Sequence, residues 1–345
     1  MGKKVLLTFL VIVTLCTSCS DTIDSRIEEE RKLAEEQQNE THITGGSWSA
    51  VAAVGTPRKG AAAAANSGLA YIYGGINESG YLNDFLSYNV DSGVVTVLPE
   101  NISRAYSAME IVAGYLYIAG GKDAAGPLQE LKTFDIDLGN WSASYTVSQT
   151  NGPWPPVSSH YSVLHYTNPD NGHEELFYIG VDDTSGIPFL YKLDISNSPK
   201  PKWYQLTGGP AVINHGFAVV GDGLYVFGGY DMASDSYSNK LWKYSIASDS
   251  WEYIITTAPP EPRSEVTLEV ISDMMFVFGG RDSAQFFSDM WRVTSDGIWT
   301  KMAGASACRA GYVSFVYGSE IFYYGGYTAE GGVETYYNSL WKFTP

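Results

Sequence analysis

The side chains best placed to do chemistry in this sequence are arginines that recur at a fixed distance from paired glycines. Four arginines each precede the first glycine of a Gly-Gly pair by 16 residues: Arg58, Arg104, Arg263 and Arg309. Guanidinium groups that are presented together bind carboxylate, phosphate or sulfate groups through paired hydrogen bonds. The spacing therefore predicts one arginine-lined site, provided that the fold brings these segments together.

Other polar side chains extend this pattern. The polar segment TNPDNGHEE lengthens one connection, which should bring His160 to the arginine position, and in the next segment Val212 takes that position with His215 just beyond it. The loops after the glycine pairs add Tyr230 and Arg281, and the tyrosines could stack on sugar rings. We therefore predict these ligand-binding residues: Arg58, Arg104, His160, His215, Tyr230, Arg263, Arg281 and Arg309. The alternative is that each arginine pairs with a carboxylate of a neighbouring loop and only holds the structure together.

Evidence for a metal site or a catalytic group is weak. His160 and His215 could approach each other, but two ligands are too few for a metal and no third is evident. The Gly-Gly pairs end strands and do not open helices, so they are not phosphate-binding loops. We expect no metal and no cofactor, and the sequence assigns no catalytic residue.

The glycine pairs end apolar strands such as GLYVFGG, residues 223–229. Six such strands recur with spacings of 46, 60, 48, 51 and 46 residues between their first glycines. Those first glycines are Gly74, Gly120, Gly180, Gly228, Gly279 and Gly325. Repeats of this length indicate stacked units, none of which buries its apolar face alone.

Each repeat has the pattern of four short strands. A strand of small residues precedes the glycine-ending strand, and a third strand and a strand opening on tryptophan follow it. The tryptophans are Trp141, Trp203, Trp251 and Trp299. Four antiparallel strands per repeat predict an all-β, six-bladed β-propeller. The tryptophans should fill the gaps between blades, and the glycines should let neighbouring strands approach closely.

The two ends of the repeat region predict how the ring closes. The sixth repeat stops at LWKFTP, residues 340–345, without a tryptophan strand, whereas GSWSAV, residues 46–51, is such a strand without a repeat. We therefore predict that this N-terminal strand completes the last blade, which removes an open sheet edge.

This order of elements resembles the kelch repeat of galactose oxidase-like propellers, and the resemblance covers residues 46–345. Two repeats depart from it: Val94 and Val95 stand where the first should have tryptophan, and Val181 replaces the second glycine of the third. The resemblance implies a propeller that binds its ligand at the mouth of the central channel. It also implies that the arginines can join blade to blade.

An enzymatic alternative comes from the same resemblance. The kelch-type sialate mutarotases (N-acetylneuraminate epimerases) are similar to this chain in size and export. Their proposed acid/base glutamate follows a glycine of the second strand, with an arginine in the next loop. Asp182 and Asp282 are the nearest counterparts here, and neither lies in a matching pattern. The resemblance thus leaves a sugar mutarotase or epimerase as the alternative to a binding module.

The N-terminal residues 1–18 have the pattern of an export signal. Lys3 and Lys4 precede an apolar run, residues 5–15, and Thr17, Ser18 and Cys19 follow. This resembles a bacterial lipoprotein signal peptide, which implies lipidation of Cys19; ordinary cleavage after Ser18 or Ser20 is the alternative. Residues 19–45 read as an acidic tether. We expect a lipid-anchored cell-envelope protein at the outer membrane, on its periplasmic or surface face.

The overall charge limits the partners. The formal net charge is −17, which disfavours nucleic acid and anionic membrane surfaces as partners. We expect a monomer that meets the membrane through its lipid anchor only. Three hypotheses follow: a module that binds a glycan, a small anion or a protein partner at the arginine-lined mouth; a sugar mutarotase; or an envelope scaffold for other proteins.

Overall fold

The computed structural model describes residues 45–142, 145, 150–197, 200–305 and 307–345. The predicted signal peptide, its Cys19 and nearly all of the predicted tether lie outside these residues. The described residues form strands and loops without a helix, so no helix among them is available to span a bilayer.

The strands form six antiparallel sheets, as predicted, and each sheet is one blade of a propeller. Blade one consists of Ala62–Asn66, Leu69–Tyr73, Phe85–Asn89 and Val95–Leu98. Blade two consists of Ala108–Val112, Tyr115–Ala119, Leu131–Asp135 and Asn140–Trp141. Blade three consists of Ser162–Thr167, Glu174–Val181, Pro188–Asp194 and Lys202–Leu206. Blade four consists of Gly216–Val220, Gly223–Phe227, Leu241–Ser245 and Ser250–Ile254. Blade five consists of Leu268–Ile271, Met274–Phe278, Met290–Val293 and Trp299–Met302.

Blade six joins the two ends of the repeat region, as the sequence predicts. Its strands, from the axis outward, are Ala310–Tyr317, Glu320–Glu330, Ser339–Thr344 and Ser47–Ala53. The outermost strand pairs antiparallel with its neighbour from Ser47 opposite Thr344 to Ala53 opposite Ser339. The first strands of the blades lie side by side around the axis, with blade six beside blade one.

Short hairpins extend several loops between the second and third strands. They are formed by Ile76–Asn77 with Gly80–Tyr81, Lys122–Asp123 with Gly126–Pro127, Tyr230–Asp231 with Ser236–Tyr237, and the end of Glu320–Glu330 with Val333–Tyr336. All of them lie on the face where the first strands begin. Three of the hairpins are bridged to the residues just before a first strand, at Lys59, Ala105 and Ile213, and the fourth pairs with Ala310 at the start of its first strand. This face carries the mouth of the propeller.

The core consists of one apolar cluster at each blade junction. Tryptophans of the outer strands pack against the preceding blade, as predicted: Trp299 lies 4.8 Å from Phe227 between ring centres, and Trp48 lies 4.6 Å from Phe278. The junction between blades six and one has no such tryptophan. There Val94 is 56% exposed, and the stacked rings of Phe315 and Phe322 fill the interior instead.

The glycine pairs allow the close approach that the sequence predicts. A Cβ atom on Gly74 would lie 2.4 Å from the carbonyl oxygen of Arg104 in the next blade, and one on Gly120 would lie 2.0 Å from the ring of Tyr161. Both glycines also have positive φ angles, which side chains disfavour. Neighbouring blades therefore touch directly at the glycine pairs.

Candidate functional site

The four predicted arginines lie inside the blades, where each side chain binds its own repeat. Arg263 shows the pattern: its Nη1 donates to the carbonyl oxygen of Gly279 at 3.0 Å, and its guanidinium group holds Asp289 through bonds of 2.5 and 3.0 Å. Arg58 binds the Gly74 carbonyl and Asp84 in the same way.

The other two arginines repeat the arrangement with different partners. Arg104 donates to the carbonyl oxygen of Gly120 at 3.3 Å and forms an ion pair with Glu130. Arg309 donates to the Ser339 hydroxyl at 2.7 Å, at the position where the other three arginines bind an acid. All four arginine residues are at most 5% exposed.

The backbone of each arginine binds the preceding blade. The carbonyl oxygen of Arg263 accepts a hydrogen bond of 2.8 Å from the amide of Gly229, and that of Arg58 accepts one of 2.8 Å from Gly326. Each arginine thus joins two blades, through its carbonyl on one side and its guanidinium group on the other. This geometry supports the structural alternative raised from the sequence, because a ligand at the mouth would have to displace the acid to reach the arginine.

His160 lies two residues beyond the position predicted for it. Ser162 pairs with Ile179 as Ala62 pairs with Tyr73 in blade one, so His160 corresponds to Gly60, and Ser158 corresponds to Arg58. The reason is the length of the inserted loop, which sequence spacing alone measures only to within a few residues.

The position that His160 occupies forms a ring around the axis. We call it the mouth ring, and it consists of Gly60, Tyr106, His160, Asn214, Glu265 and Gly311. Backbone hydrogen bonds connect five of its members in sequence: Tyr106 N–H donates to Gly60, Gly60 to Gly311, Gly311 to Glu265, and Glu265 to Asn214, over 2.7 to 3.5 Å. The amide of His160 donates to the Ser158 hydroxyl at 3.2 Å instead.

The same five members have left-handed backbone conformations. Tyr106, Asn214 and Glu265 have φ angles of 59°, 55° and 57°, although side chains disfavour this region. Non-glycine residues held in this way often cluster at functional sites, where the surrounding structure maintains them. The mouth ring is therefore a stronger candidate site than the buried arginines.

Neighbouring side chains cover the two glycine positions of the mouth ring: the Tyr106 ring lies against Gly60, and Glu265 and Tyr327 lie against Gly311. The rings of Tyr106 and His160 lie 5.3 Å apart, and the Lys122 ammonium group lies 4.9 Å from the Tyr106 ring centre. Burial and the charge of Lys122 lower the pKa of His160 to about 4, so its imidazole is neutral at pH 7. All six members of the mouth ring line a space of about 560 Å³, which includes open solvent and which we call the mouth basin.

Two of the cations beside the mouth basin, Lys59 and Arg281, are paired with acids. Arg281 Nε donates to Glu265 at 2.7 Å, and the Tyr327 hydroxyl donates to the same oxygen at 3.1 Å. Lys59 donates to Glu334 at 2.6 Å and lies 4.0 Å from the Tyr327 ring centre. The basin therefore presents aromatic rings and hydrogen-bonding groups, with Lys122 as a cation against the Tyr106 ring.

The remaining predicted site residues divide between the rim and the interior. Arg281 lies beside the basin. Tyr230 lies on the rim, where its hydroxyl binds Asp235 and its ring lies 5.2 Å from Tyr237. His215 is only 6% exposed and faces the channel below the mouth ring. Within the described residues, no three or more histidine, cysteine, aspartate or glutamate side chains are grouped to hold a metal.

Sequence spacing did not single out Tyr106, Asn214 or Glu265 as site residues. All three lie two residues after the arginine position of their repeats, so the signal was present in the register. It was hidden because these residues differ in type, whereas the arginines are identical.

Comparison with known proteins identifies the same repeats. The family described as KLHDC2/KLHL20/DRC7 Kelch-repeats domain matches residues 214–345, and the Kelch motif matches residues 57–101. Kelch domain-containing protein 3 of Homo sapiens is 28% identical over 189 residues, which cover 49% of this chain and 48% of that protein. Tip elongation aberrant protein 1 of Schizosaccharomyces pombe is 30% identical over 219 residues, covering 57% of this chain and 19% of that protein. The chain thus spans about half the length, or less, of these curated relatives.

Among solved structures, that of YjhT matches with a TM-score of 0.66. The alignment covers 84% of this chain and 96% of the other, at 15% sequence identity. A likeness at this identity establishes the shared fold alone.

Proposed function

The protein is a kelch-repeat β-propeller, and we propose that it is a binding module that holds a glycan in its mouth basin. The observation that carries this proposal is that Tyr106, His160, Asn214 and Glu265 line one space at the mouth of the channel. A concave site with aromatic walls and a few convergent polar groups is the usual form of a ligand site.

The chemistry of the basin favours a sugar over a small anion. The arginines expected to bind an anion are buried and paired, Lys59 and Arg281 are already neutralised by Glu334 and Glu265, and Lys122 lies against the face of the Tyr106 ring. A sugar ring instead needs an aromatic face to stack on and neighbours that donate and accept hydrogen bonds. Tyr106 supplies a ring, and Asn214 supplies both a donor and an acceptor.

A glycan array followed by calorimetry on the bound glycan tests the proposal. The variants Tyr106→Gly and Asn214→Gly remove the side chains but keep the backbone, because glycine already occupies the equivalent positions 60 and 311. We expect each to weaken binding about tenfold or more, as loss of one good contact does. Tyr253→Ala, on the outer strand of blade four, is the matched control and should bind normally.

Two outcomes would reject a glycan site at the mouth. One is an array without any bound glycan. The other is binding that Tyr106→Gly and Asn214→Gly leave unchanged, which would move the site away from the mouth. If pull-downs then recover a protein partner that Tyr106→Gly no longer captures, the mouth is a protein-interaction surface.

A sugar mutarotase is the second candidate, and Glu265 is the observation that favours it. Its carboxylate lies beside Arg281 at the mouth, and this carboxylate could exchange a proton with a sugar anomer. The predicted counterparts Asp182 and Asp282 instead accept hydrogen bonds from their own loops, from Thr184 N at 2.9 Å and Ala284 N at 2.7 Å. NMR measures the rate at which the two anomers of the sugar interconvert. A rate that the protein raises and that Glu265→Gln returns to the rate without protein would establish the enzyme. A rate equal to that without protein would exclude it.

We also propose that a lipid on Cys19 anchors the propeller at the cell envelope. The support is the sequence pattern at residues 1–19, with its basic start, apolar run and terminal cysteine. Mass spectrometry of the mature N-terminus tests this. Acylated Cys19 is the expected result, together with release of Cys19→Ser from the membrane fraction, whereas an unmodified N-terminus after Ser18 or Ser20 would contradict it.

A further inference from the structure

The outer strand of blade one, Val95–Leu98, has no tryptophan, whereas the outer strand of every other blade has one. Val95 pairs with Tyr88 at the register where Trp251 stands in blade four, so a valine occupies the tryptophan position. Val95 is 40% exposed, and Val97, on the same face of the strand, is 71% exposed. Apolar side chains therefore meet solvent at the one junction that no indole fills.

The backbone of this strand also has open hydrogen-bonding positions. Asn89 N–H donates to the Val94 carbonyl at 2.9 Å, and bonded pairs alternate with non-bonded pairs along an antiparallel ladder. Thr96 is therefore bonded to the third strand of the blade, whereas the N–H and C=O groups of Val95 and Val97 point outward. No other strand of the described residues pairs with this edge. It can thus accept an added strand at two of its residues.

Blade one differs in this respect from the other blades. The outer strands of blades three, four and five each carry a charged side chain that discourages pairing with another strand: Lys202, Glu252 and Lys301. The described outer strand of blade two has only two residues. That of blade six, Ser47–Ala53, is uncharged, but none of its large apolar side chains is exposed. Only the edge of blade one combines an uncharged strand with exposed valines.

The carbonyl group that receives an indole at other junctions is present here too. Trp251 donates to the carbonyl oxygen of Thr207 at 2.9 Å, in the residue after the outer strand of blade three. In the register of blade six the equivalent residue is Ala53. Val54 N–H donates to the Asn338 carbonyl at 2.9 Å, so the alternation of bonded pairs turns the Ala53 carbonyl away from its own sheet. An acceptor for an indole thus stands beside blade one, which supplies none.

We infer that this edge docks an extended segment of a partner protein, which adds a fifth strand to blade one and lays an indole over Val95. Side chains directly opposite each other on neighbouring strands are in contact, so a tryptophan opposite Val95 covers the valine and extends towards Ala53. Asp91 and Glu100 are exposed acids at the two ends of the strand. Basic residues on both sides of the docked segment complement them.

A second copy of this chain fits the edge less well. Pairing Val95–Leu98 with itself joins four residues on each side, whereas stable interfaces use about 20–30 residues a side. An antiparallel pairing would also bring Asp91 of one copy towards Glu100 of the other, and like charges repel. The occupant is therefore a segment of a different protein.

Calorimetry on the mature protein with synthetic peptides tests the inference. The probe is the peptide Lys-Val-Thr-Trp-Thr-Val-Lys with blocked ends, whose tryptophan and valines share one face of a strand. One control peptide has alanine in place of tryptophan, and a second has glutamate in place of both lysines. A third is N-methylated at the tryptophan and both valines, whose N–H groups would bond to the edge. We expect the probe to bind and each change to weaken it about tenfold or more.

Hydrogen exchange and two variants locate the bound peptide. The amides of Val95 and Val97 should exchange more slowly when the peptide is added, because they gain partners, whereas that of Thr96 is already bonded within the blade and should change little. Val97→Lys places a charge on the exposed edge and should abolish binding. Tyr253→Lys is the matched control, because Tyr253 has the equivalent position in blade four.

Several results would overturn the inference. They are no binding of the probe, equal binding of the alanine or N-methylated peptide, unchanged exchange at Val95 and Val97, and full binding by Val97→Lys. Protection of the same two amides without peptide, rising with protein concentration, would instead identify the edge as a contact between copies of this chain and would also reject a different partner. Glycan binding at the mouth is independent of all these results.

Discussion

At the residue scale, the arginines show that burial decides what a side chain can do. Arg263 combines the carbonyl of Gly279, the carboxylate of Asp289 and the ring of Phe287, which lies 3.9 Å from the guanidinium carbon. Burial alone would raise the pKa of Asp289, but the hydrogen bonds and charge of Arg263 hold it below its usual value. The arginine and its acid therefore function as one buried structural unit.

Removing Arg263 should strongly destabilise the fold. Arg263→Ala leaves Asp289 charged and mostly buried without its partner, which costs about 3–5 kcal/mol. Lys243→Ala is the control, because its pair with Glu252 spans 3.9 Å at the surface and should contribute less than about 1 kcal/mol. Chemical denaturation of both variants at pH 7 measures the difference. Equal losses would mean that the buried pair contributes no more than a surface pair.

Glu110 should make the stability depend on pH in the opposite sense to a salt-bridged acid. Its pKa is raised to about 8 in the folded protein, so the folded state holds the proton more tightly than the unfolded state. The free energy of unfolding must then fall as the pH rises from about 4.5 towards 8. Glu110→Gln removes this loss and should be more stable than the wild type by about 1–3 kcal/mol at pH 9, but not at pH 4. Glu252→Gln should show no such dependence, and a pH-independent effect of Glu110→Gln would contradict a raised pKa.

Much of this arrangement was predictable from residue spacing, but the direction of each side chain was not. The common offset of the arginines correctly placed them at equivalent positions. Asp84, Glu130 and Asp289 each follow their arginine by 26 residues, so the acid partners could have been read from the same register. Spacing alone cannot tell whether a guanidinium group points into the blade or towards the axis, since that depends on the packing around it.

At the element scale, the glycine-ending strand fixes the distance between blades. Strand order, blade number and tryptophan packing could be predicted from the repeat, because the blades share one order of four strands with a glycine-ending second strand. The third blade departs from it, with Ser158 and Val181 replacing the arginine and the second glycine. This blade also interrupts the backbone chain of the mouth ring at His160. The repeat predicted the structure that the blades share. The departures of blade three, near the proposed binding site, could be located only in the three-dimensional structure.

Gly74→Ala tests the role of this close approach. The added Cβ would lie 2.4 Å from the Arg104 carbonyl oxygen, in a residue with a φ angle of 63°. Gly114→Ala is the matched control, since it has a φ angle of 83° and no atom within 4 Å of the added carbon. Left-handed strain costs both variants about 1–2 kcal/mol, and the clash should cost Gly74→Ala about 1–3 kcal/mol more. Thermal denaturation compares them, and equal melting temperatures would show that the blades can separate at no cost.

At the scale of the whole molecule, the ring depends on a strand that comes from the other end of the repeat region. Ser47–Ala53 completes blade six, and Trp48 fixes it to blade five. The indole N–H donates to the Ala303 carbonyl at 2.8 Å, and its ring centre lies 5.2 Å from that of Phe343. Closure of this kind removes the sheet edges at which an open ring would aggregate.

Trp48→Ala should therefore loosen the closure before it unfolds the ring. Trp299→Ala is the comparison, because Trp299 fills the equivalent junction between blades four and five but lies in a blade built from consecutive strands. Both variants should lose about 3–5 kcal/mol of stability, as large buried aromatic residues do. Hydrogen exchange should distinguish them: in Trp48→Ala, the amides of Ser47–Ala53 and Ser339–Thr344 should exchange by local opening, well below the energy of global unfolding. In Trp299→Ala, the same amides should retain exchange limited by global unfolding. Identical exchange patterns would mean that the closing strand is held no less firmly than any other, and that the ring opens at no preferred junction.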